Sequence, residues 1–319
     1  MSYTIIRPKD RNEWLKYRES GIGSSEVGTI LGLNPFETPY QLWRRKKGLD
    51  VPKQENFSMK AGHYLEDAVS LFYRDETGKE IIKASAGDWL IVNNEKQYLR
   101  VSPDRTFWIP GRTKSDRNKG ILECKTTQIE VDADSLPQHW FCQLQYQLGV
   151  AELEQGALAW LTMGREFGYR DIMFDKEFYD WMIEEVDKFW IDNIIGNQEP
   201  LLTNVDDVLL KNPRSIVGKT VEADEKLVEM CAELKTIKEE LGGLDSRKKE
   251  LENTIKMAIG DAEALVAPGV NKAKPIILAT WKAAKDSTKF NEKQFAADKP
   301  ELYANYQYQV PGSRRFLLK

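Results

Sequence analysis

Apolar and polar positions change period several times along the chain. In AGHYLEDAVSLFYRDETG, Leu65, Ala68, Val69 and Phe72 recur at three- and four-residue spacing. That spacing predicts an amphipathic helix, with Glu66 beside the apolar stripe and not opposite it. Three strand-like segments follow: WLIVNN, QYLRVSPD and GILECKTT. A helix is expected near 137–150 (PQHWFCQLQYQLGV), then a buried strand, GALAWLTM, and an amphipathic helix, KEFYDWMIEEVDKFWIDNI. Helices flanking a mixed central sheet define an α/β (α+β) class. The first 55 or so residues are instead rich in turn signals and aromatics: GIGSSEV, LGLNPFETPY and QLWRRKKG.

A different pattern governs the last hundred residues. Leu227, Met230, Leu234, Ile237, Leu241, Leu244, Leu251, Ile255 and Ala258 alternate steps of three and four, with Lys248 filling the one polar position. This is a heptad seam. As a helix, 227–258 would span roughly 48 Å at about 1.5 Å per residue. Gly242-Gly243 weakens it by roughly 2 kcal/mol relative to alanines, but the unbroken register favours one long helix. PIILATWKA, a helix near 291–305 and RRFLLK then read as a small α+β cap. KNPRSIVGKT, 211–220, carries the Pro and Gly of a linker. Two units are therefore expected, 1–215 and 220–319. The seam reads either as an intramolecular contact covering the first unit or its own cap, which is favoured, or as a surface for oligomerisation or a partner protein.

Length and composition narrow the class. With 319 residues, 41% hydrophobic and 30% charged, the chain can bury a sizeable core. No run of eighteen apolar residues marks a membrane span, and the start, MSYTIIRPKDRNEW, reads as no signal segment. The three cysteines, Cys124, Cys142 and Cys231, show neither metal-ligand pairing nor a disulfide framework. A cytoplasmic location is expected. A net charge of −4 does not announce a nucleic-acid binder, but local patches decide phosphate contact, and clustered carboxylates would lower the total.

The candidate chemistry lies in Ser102-Pro103-Asp104 and Glu123-Cys124-Lys125. Side chains alternate along a strand, so Ile121, Glu123 and Lys125 share one face, and Leu122 and Cys124 the other. A carboxylate and an ammonium on an otherwise apolar strand are costly unless paired or used. The intervening RTFWIPGRTKSDRNKG is long enough for the two strands to pair as neighbours, so that Asp104 and Glu123 meet across the sheet and share a cation. Phosphodiester hydrolysis needs charge neutralisation and an activated water, which Mg²⁺ held by carboxylates supplies. A lysine can orient or deprotonate that water and stabilise developing charge. Glu66 would add a further carboxylate, and the Cys124 backbone carbonyl an oxygen ligand. By spacing alone, a plain hairpin with an exposed Glu–Lys pair stands equally open.

These residues, with their flanks, resemble the PD-(D/E)xK nuclease superfamily, and more closely its lambda-exonuclease-like, YqaJ-type viral recombinase family. The likeness rests on EWLKYRESGIGSSEVGTILGLNPF, GHYLEDAV, SPD with ECK, and QLQYQLGV, in order over about residues 13–150. The resemblance implies a PD-(D/E)xK core and a processive 5′-to-3′ exonuclease on linear double-stranded DNA. It implies Mg²⁺ as cofactor (Mn²⁺ as substitute), service in phage recombination with a single-strand annealing protein, and a homo-oligomer, trimeric in relatives. Asp104 and Glu123 match the metal carboxylates, Lys125 the catalytic lysine, Glu66 the helix carboxylate, and Gln143 the glutamine behind the site. Arg18, Ser25 and Ser102 match the pocket for the 5′-terminal phosphate, a role that suits an arginine fork and two hydroxyls. Arg105 departs from the glycine usual after the aspartate, the loop to Glu123 is longer than in compact relatives, and the C-terminal unit has no counterpart in lambda exonuclease.

Plainer readings stand beside these. Arg18 could be a solvated helix residue, Ser25 and Ser102 caps, and Gln143 with Gln147 a solvated helix face. Arg44-Arg45-Lys46-Lys47 reads first as a solvated helix end, and second as a phosphate contact. His63 and His139 receive no role, and the tryptophans are mostly core or lining by default. Three competing functions remain: an iron–sulfur nuclease, disfavoured by too few cysteines, a non-catalytic DNA-binding scaffold, and a structure-specific endonuclease.

Overall fold

The computed structural model describes residues 2–50, 56–82, 90–162, 166–267, 274–310 and 312–318. Trp89, Met163 and Lys319, at the ends of three expected segments, lie outside the described residues. The chain divides into two compact units, Met1–Lys211 and Asn212–Lys319.

The first unit is built on two sheets. One orders β1 (Tyr3–Ile6), β4 (Leu90–Asn93), β5 (Leu99–Val101) and β2 (Ile22–Gly23). The other orders β3 (Ile81–Ile82), β6 (Arg105–Trp108), β7 (Lys119–Thr127), β8 (Gln155–Thr162) and β9 (Glu166–Met173). The second sheet is mixed: β7 and β8 run parallel, and the other pairs antiparallel. A parallel pair needs a crossover, and α5 (Gln138–Ala151) supplies it. Leu144 and Leu148 of α5 pack in one core with Ile121 of β7. The opposite face of β7, Leu122 and Cys124, packs with Val69 and Tyr73 of α4 (Phe57–Thr77). The alternation expected for β7 therefore holds, and each face carries its own core.

Preceding these are α1 (Arg11–Glu19), α2 (Ser24–Ile30) and α3 (Pro39–Lys46). Gly28 of α2 lies so close to α5 that an added Cβ would stand 2.6 Å from the His139 Cβ and 3.1 Å from its Cα. Backbone cannot yield as a side-chain tip can. Gly28→Ala is therefore expected to destabilise the first unit by about 1–3 kcal/mol, read as a lower midpoint in urea; an unchanged midpoint would mean that the helices part without cost.

After β9, α6 (Lys176–Lys188) continues as a π-helical turn over Phe189–Ile195. Two carbonyls of that turn accept side-chain donors, Trp43 Nε1 on Asn193 at 2.9 Å and Lys47 Nζ on Ile194 at 2.6 Å. α7 (Val205–Lys211) closes the unit.

The second unit contains α8 (Glu225–Ile259), the hairpin of β10 (Ala264–Ala267) and β11 (Ile276–Thr280), and two short helices, α9 (Glu292–Asp298) and α10 (Pro300–Asn305). α8 passes through Gly242-Gly243 unbroken. Its seam is not a covered intramolecular contact within the unit, because Leu227, Met230, Ile237, Leu241, Leu244, Leu251 and Ile255 are all exposed. Among the described residues, no helix is long and apolar enough to cross a membrane.

Three expectations change in detail. RTFW does not lie in a loop: it forms β6, and β6, not β5, is the neighbour of β7. The buried stripe of α4 is Val69, Ser70 and Tyr73, whereas Phe72 is exposed and leans on Phe167 at 5.5 Å between ring centroids. Tyr73 is tolerated inside because its hydroxyl donates to Asp171 at 2.7 Å. Trp181 is likewise exposed, although Trp14, Trp43, Trp140 and Trp160 are buried.

Candidate active site

Ser102, Pro103 and Asp104 hand the chain from β5 in one sheet to β6 in the other. β6 pairs with β7 in the register Arg105↔Leu122, so the next rung sets Asp104 opposite Glu123. The Cys124 N–H donates to Asp104 Oδ2 at 2.8 Å and fixes the carboxylate there. Glu66 lies one turn before Val69 on the α4 face that covers β7. Glu66, Asp104, Glu123 and Lys125 consequently line one cavity of about 240 Å³.

Glu123 is 2% exposed and is held by three donors. Lys125 Nζ donates to its Oε1 at 2.7 Å, Gln143 Nε2 donates to the same oxygen, and Gln147 Nε2 donates to Oε2 at 2.9 Å. Lys125 also donates to Gln143 Oε1 at 2.8 Å. The Glu–Lys pair, with Glu123 buried and Lys125 half-buried, is thus cross-braced, unlike the exposed pair of a plain hairpin.

The electrostatics are strained in one direction. Burial, then the neighbouring Glu123 and Glu66 carboxylates, push the Asp104 carboxyl well above the usual carboxylate range, against the pull of Lys125 and the Cys124 N–H. Burial would lower the Lys125 ammonium, but Glu123 and Asp104 hold it above its ordinary value. The Cys124 thiol rises well above its usual range through burial and the adjacent carboxylates.

Such an all-oxygen donor set is of the kind that suits a hard divalent cation. Among the described residues, no three acidic, imidazole or thiol groups already stand in coordinating geometry. The reason is visible in Glu66, which is turned to His63 Nδ1 at 3.0 Å and lies 3.8 Å from the Arg105 guanidinium. By donor type the residues fit the ion, while in this structure Glu66 and both Glu123 oxygens are engaged with protein partners.

Arg18, Ser25 and Ser102 do come together. They line a cleft of about 480 Å³ whose wall also includes Glu66, Asp104 and Gln143. Arg18 is not a freely solvated helix residue: its guanidinium donates to Ser25 Oγ at 2.7 Å and stacks over Trp14, 5.0 Å from the ring centroid. Burial lowers its pKa from the ordinary value, partly offset by Glu26.

Other residues were not legible in advance. Arg105, at the position of the usual glycine, is 9% exposed and donates to Asp67 Oδ1 at 2.6 Å. It places a guanidinium among the acidic side chains. Gln147 is fully buried and bridges Glu123 to Ser24 Oγ at 3.1 Å, linking the two halves of the site. Each cation of the basic run of α3 is paired with a carboxylate. Arg44 pairs with Asp50 at 2.8 Å, Arg45 with Glu26 and Glu37 at 3.0 Å, and Lys46 with Glu26 at 2.7 Å.

Glu26 also accepts the Gly23 N–H at 2.8 Å, bracing the turn that presents Ser24 and Ser25. Burial alone would raise its carboxyl, but Lys46 and Arg45 together bring it below its usual value. Burial lowers the Lys46 ammonium despite Glu26. The 2.7 Å contact, with Arg45 on the other oxygen, supports a charged cluster.

A bend between two sheets sets an aspartate opposite a Glu-x-Lys strand, backed by a glutamine-bearing crossover helix, which is the arrangement the resemblance to PD-(D/E)xK nucleases leads one to expect. Residues 13–154 match the YqaJ-like viral recombinase domain. The uncharacterized protein YqaJ of Bacillus subtilis (strain 168) is 33% identical over 265 residues, 79% of this chain and 79% of that protein. The chain belongs to this YqaJ-like viral recombinase family. The uncharacterized protein R354 of Acanthamoeba polyphaga mimivirus is 24% identical over 159 residues, 45% of this chain and 27% of that one. Among solved structures, the alkaline exonuclease LHK-Exo of Laribacter hongkongensis matches at TM-score 0.44 and 16% identity, covering 63% of this chain and 96% of that one. A phage-related exonuclease of Haemophilus somnus 129PT matches at TM-score 0.39 and 13% identity, covering 56% and 96%.

Proposed function

We propose that this chain is a Mg²⁺-dependent deoxyribonuclease that degrades linear double-stranded DNA from its 5′-phosphorylated end. In the 5′-to-3′ direction it leaves 3′ single-stranded tails, the substrate of a single-strand annealing protein in phage-type recombination. One observation carries this reading: the cleft holding Arg18, Ser25 and Ser102 shares its wall with Glu66, Asp104 and Gln143. An anchor for a terminal phosphate beside a carboxylate cluster suits an enzyme that starts at ends, since a closed circle offers no such phosphate.

Asp104, Glu123 and Glu66, with the Cys124 carbonyl, would hold the ion, which supplies charge neutralisation and a more acidic water. The protein's own groups do the rest. Lys125 is held as an ammonium, so in the resting site it is a proton donor and a positive charge facing the scissile phosphate, not a base. Gln143 and Gln147 keep the Glu123 carboxylate oriented, and Cys124 N–H does the same for Asp104. Arg18 and Ser25 form a preassembled pair for phosphate oxygens.

Direction is tested with duplexes labelled at either 5′ or 3′ ends. Early release of the 5′ label as mononucleotide is expected; early release of the 3′ label contradicts the polarity. Arg18→Ala is expected to reduce the preference for 5′-phosphate over 5′-hydroxyl ends by about tenfold, since a guanidinium–phosphate fork is lost, while hydrolysis itself continues. Equal loss on both ends would remove Arg18 from the phosphate pocket.

A further inference from the structure

The heptad seam of α8 is exposed along most of its length, and the residues flanking it indicate what covers it. We infer that α8 pairs with α8 of a second copy of this chain as an antiparallel coiled coil. The reach of the seam and its charge pattern carry this.

With Leu227, Leu234, Leu241, Lys248 and Ile255 at one core position and Met230, Ile237, Leu244, Leu251 and Ala258 at the other, the two sets interleave head to tail. An antiparallel two-fold placed between Gly242 and Gly243 sets Leu241 against Leu244, Ile237 against Lys248, Leu234 against Leu251, Met230 against Ile255 and Leu227 against Ala258. Every seam position is then used, and the axis falls at the middle of α8, Glu225–Ile259.

The flanking positions decide the orientation, because such charges set partner and direction in coiled coils. In the antiparallel register, Glu240 meets Arg247 of the second copy, and Lys238 meets Asp245 of the second copy. Both contacts are attractive, and each occurs twice by symmetry. The remaining flanking contacts, Glu233 with Thr254 and Cys231 with Glu252, bring no like charges together. A parallel pair keeps two attractions, Glu233 with Lys238 and Arg247 with Glu252. It sets Glu240 against Asp245 on both sides, however, and drives Lys248 against Lys248 in the core. Buried like charges are heavily penalised, whereas the antiparallel arrangement gives the Lys248 stem an isoleucine to lie against and lets its ammonium reach solvent. Arg247 pairs with Glu250 at 3.0 Å on an exposed surface, a weak hold from which it is readily drawn into the new contact.

The test uses the full chain carrying Glu252→Cys. Cys231 is the exposed cysteine of the native three, Cys124 and Cys142 being buried. Positions 231 and 252 of one helix are about 31 Å apart at 1.5 Å per residue, beyond the reach of a short bis-maleimide. Across the antiparallel pair they are neighbours. A denaturing gel is expected to show a covalent dimer for E252C and none for the unsubstituted chain. Lys238→Glu is expected to weaken self-association about tenfold by turning two attractions into repulsions, and adding Asp245→Lys should restore it. Three results overturn the inference. A cross-linked monomer means the helix folds back on itself at the glycines, cross-linking of the unsubstituted chain means a parallel pair, and a concentration-independent monomer without cross-links leaves the seam to another protein.

Discussion

Asp104→Asn is expected to lose hydrolysis by at least about a thousandfold while the protein becomes more stable in the absence of divalent ions. The first effect follows from the proposed role, in which this carboxylate would hold the ion that neutralises charge at the phosphate. The second follows from the geometry. Asp104 is pushed well above the carboxylate range by burial and by Glu123 and Glu66, so its ionised form is costly in the folded, ion-free protein. Asparagine keeps the acceptor for the Cys124 N–H at 2.8 Å and removes the charge. A gain of about 1 kcal/mol is typical when a strained functional group is neutralised, and would raise the melting temperature by about 2–4 °C for a protein of this size. Melting with and without Mg²⁺ checks both parts. The native protein should gain from the ion and the variant should not. A variant that melts lower without ions, or that still cuts DNA, contradicts the assignment.

Lys125→Met is expected to fail for a different reason. In the proposed reaction it removes the ammonium that would face the scissile phosphate, a loss of about 10²–10⁴ in rate for a group of this kind. It also leaves Glu123, 2% exposed, without its cation. Breaking one side of a buried pair costs about 3–5 kcal/mol, so this variant should be markedly less stable than the native chain. The double variant Glu123→Gln, Lys125→Met separates the two effects, since position 123 no longer carries an unpaired charge. It should recover most of the stability and none of the activity. If the double variant is as unstable as the single one, the pair is held by packing and not by charge.

The contrast between these variants reflects what could be read from the chain itself. Glu123 and Lys125 stood out as candidates because strand alternation assigns a face to each residue of β7, and a charged pair on an apolar strand is conspicuous; Asp104 was set beside them by the expected pairing of neighbouring strands. α5, β8 and α8 were legible for the same reason of period. β6 was not: RTFW is only four residues long and is flanked by turn-rich sequence, so it reads as loop until its ladder with β7 is formed. The α4 stripe is displaced by one residue because the Tyr73 hydroxyl finds Asp171, a partner 98 positions away. Partners outside the run also explain the paired charges of α3. Glu26 and Glu37 belong to other segments, and nothing local in RRKK announces them. Gln143 and Gln147 read alternatively as a solvated face, yet Gln143 lies between Lys125 and Glu123, and Gln147 ties α5 to Glu123 and Ser24; Gln145, which nothing in the sequence singled out, ties the same helix to the Met173 carbonyl and the Asp175 N–H. His63 was passed over although its spacing of three from Glu66 was in plain view. Arg105 shows the opposite case, where a residue that breaks the expected pattern is absorbed by two nearby carboxylates.

Both halves of the site converge on one claim, that this protein hydrolyses DNA from its ends. The most direct measurement incubates the full chain with Mg²⁺ and two forms of one plasmid, linearised with 5′-phosphate ends or covalently closed. The account predicts complete digestion of the linear form, an intact circle, and no reaction once the metal is chelated. Cutting of the closed circle at a comparable rate would contradict it, as would an inert protein under every divalent ion supplied.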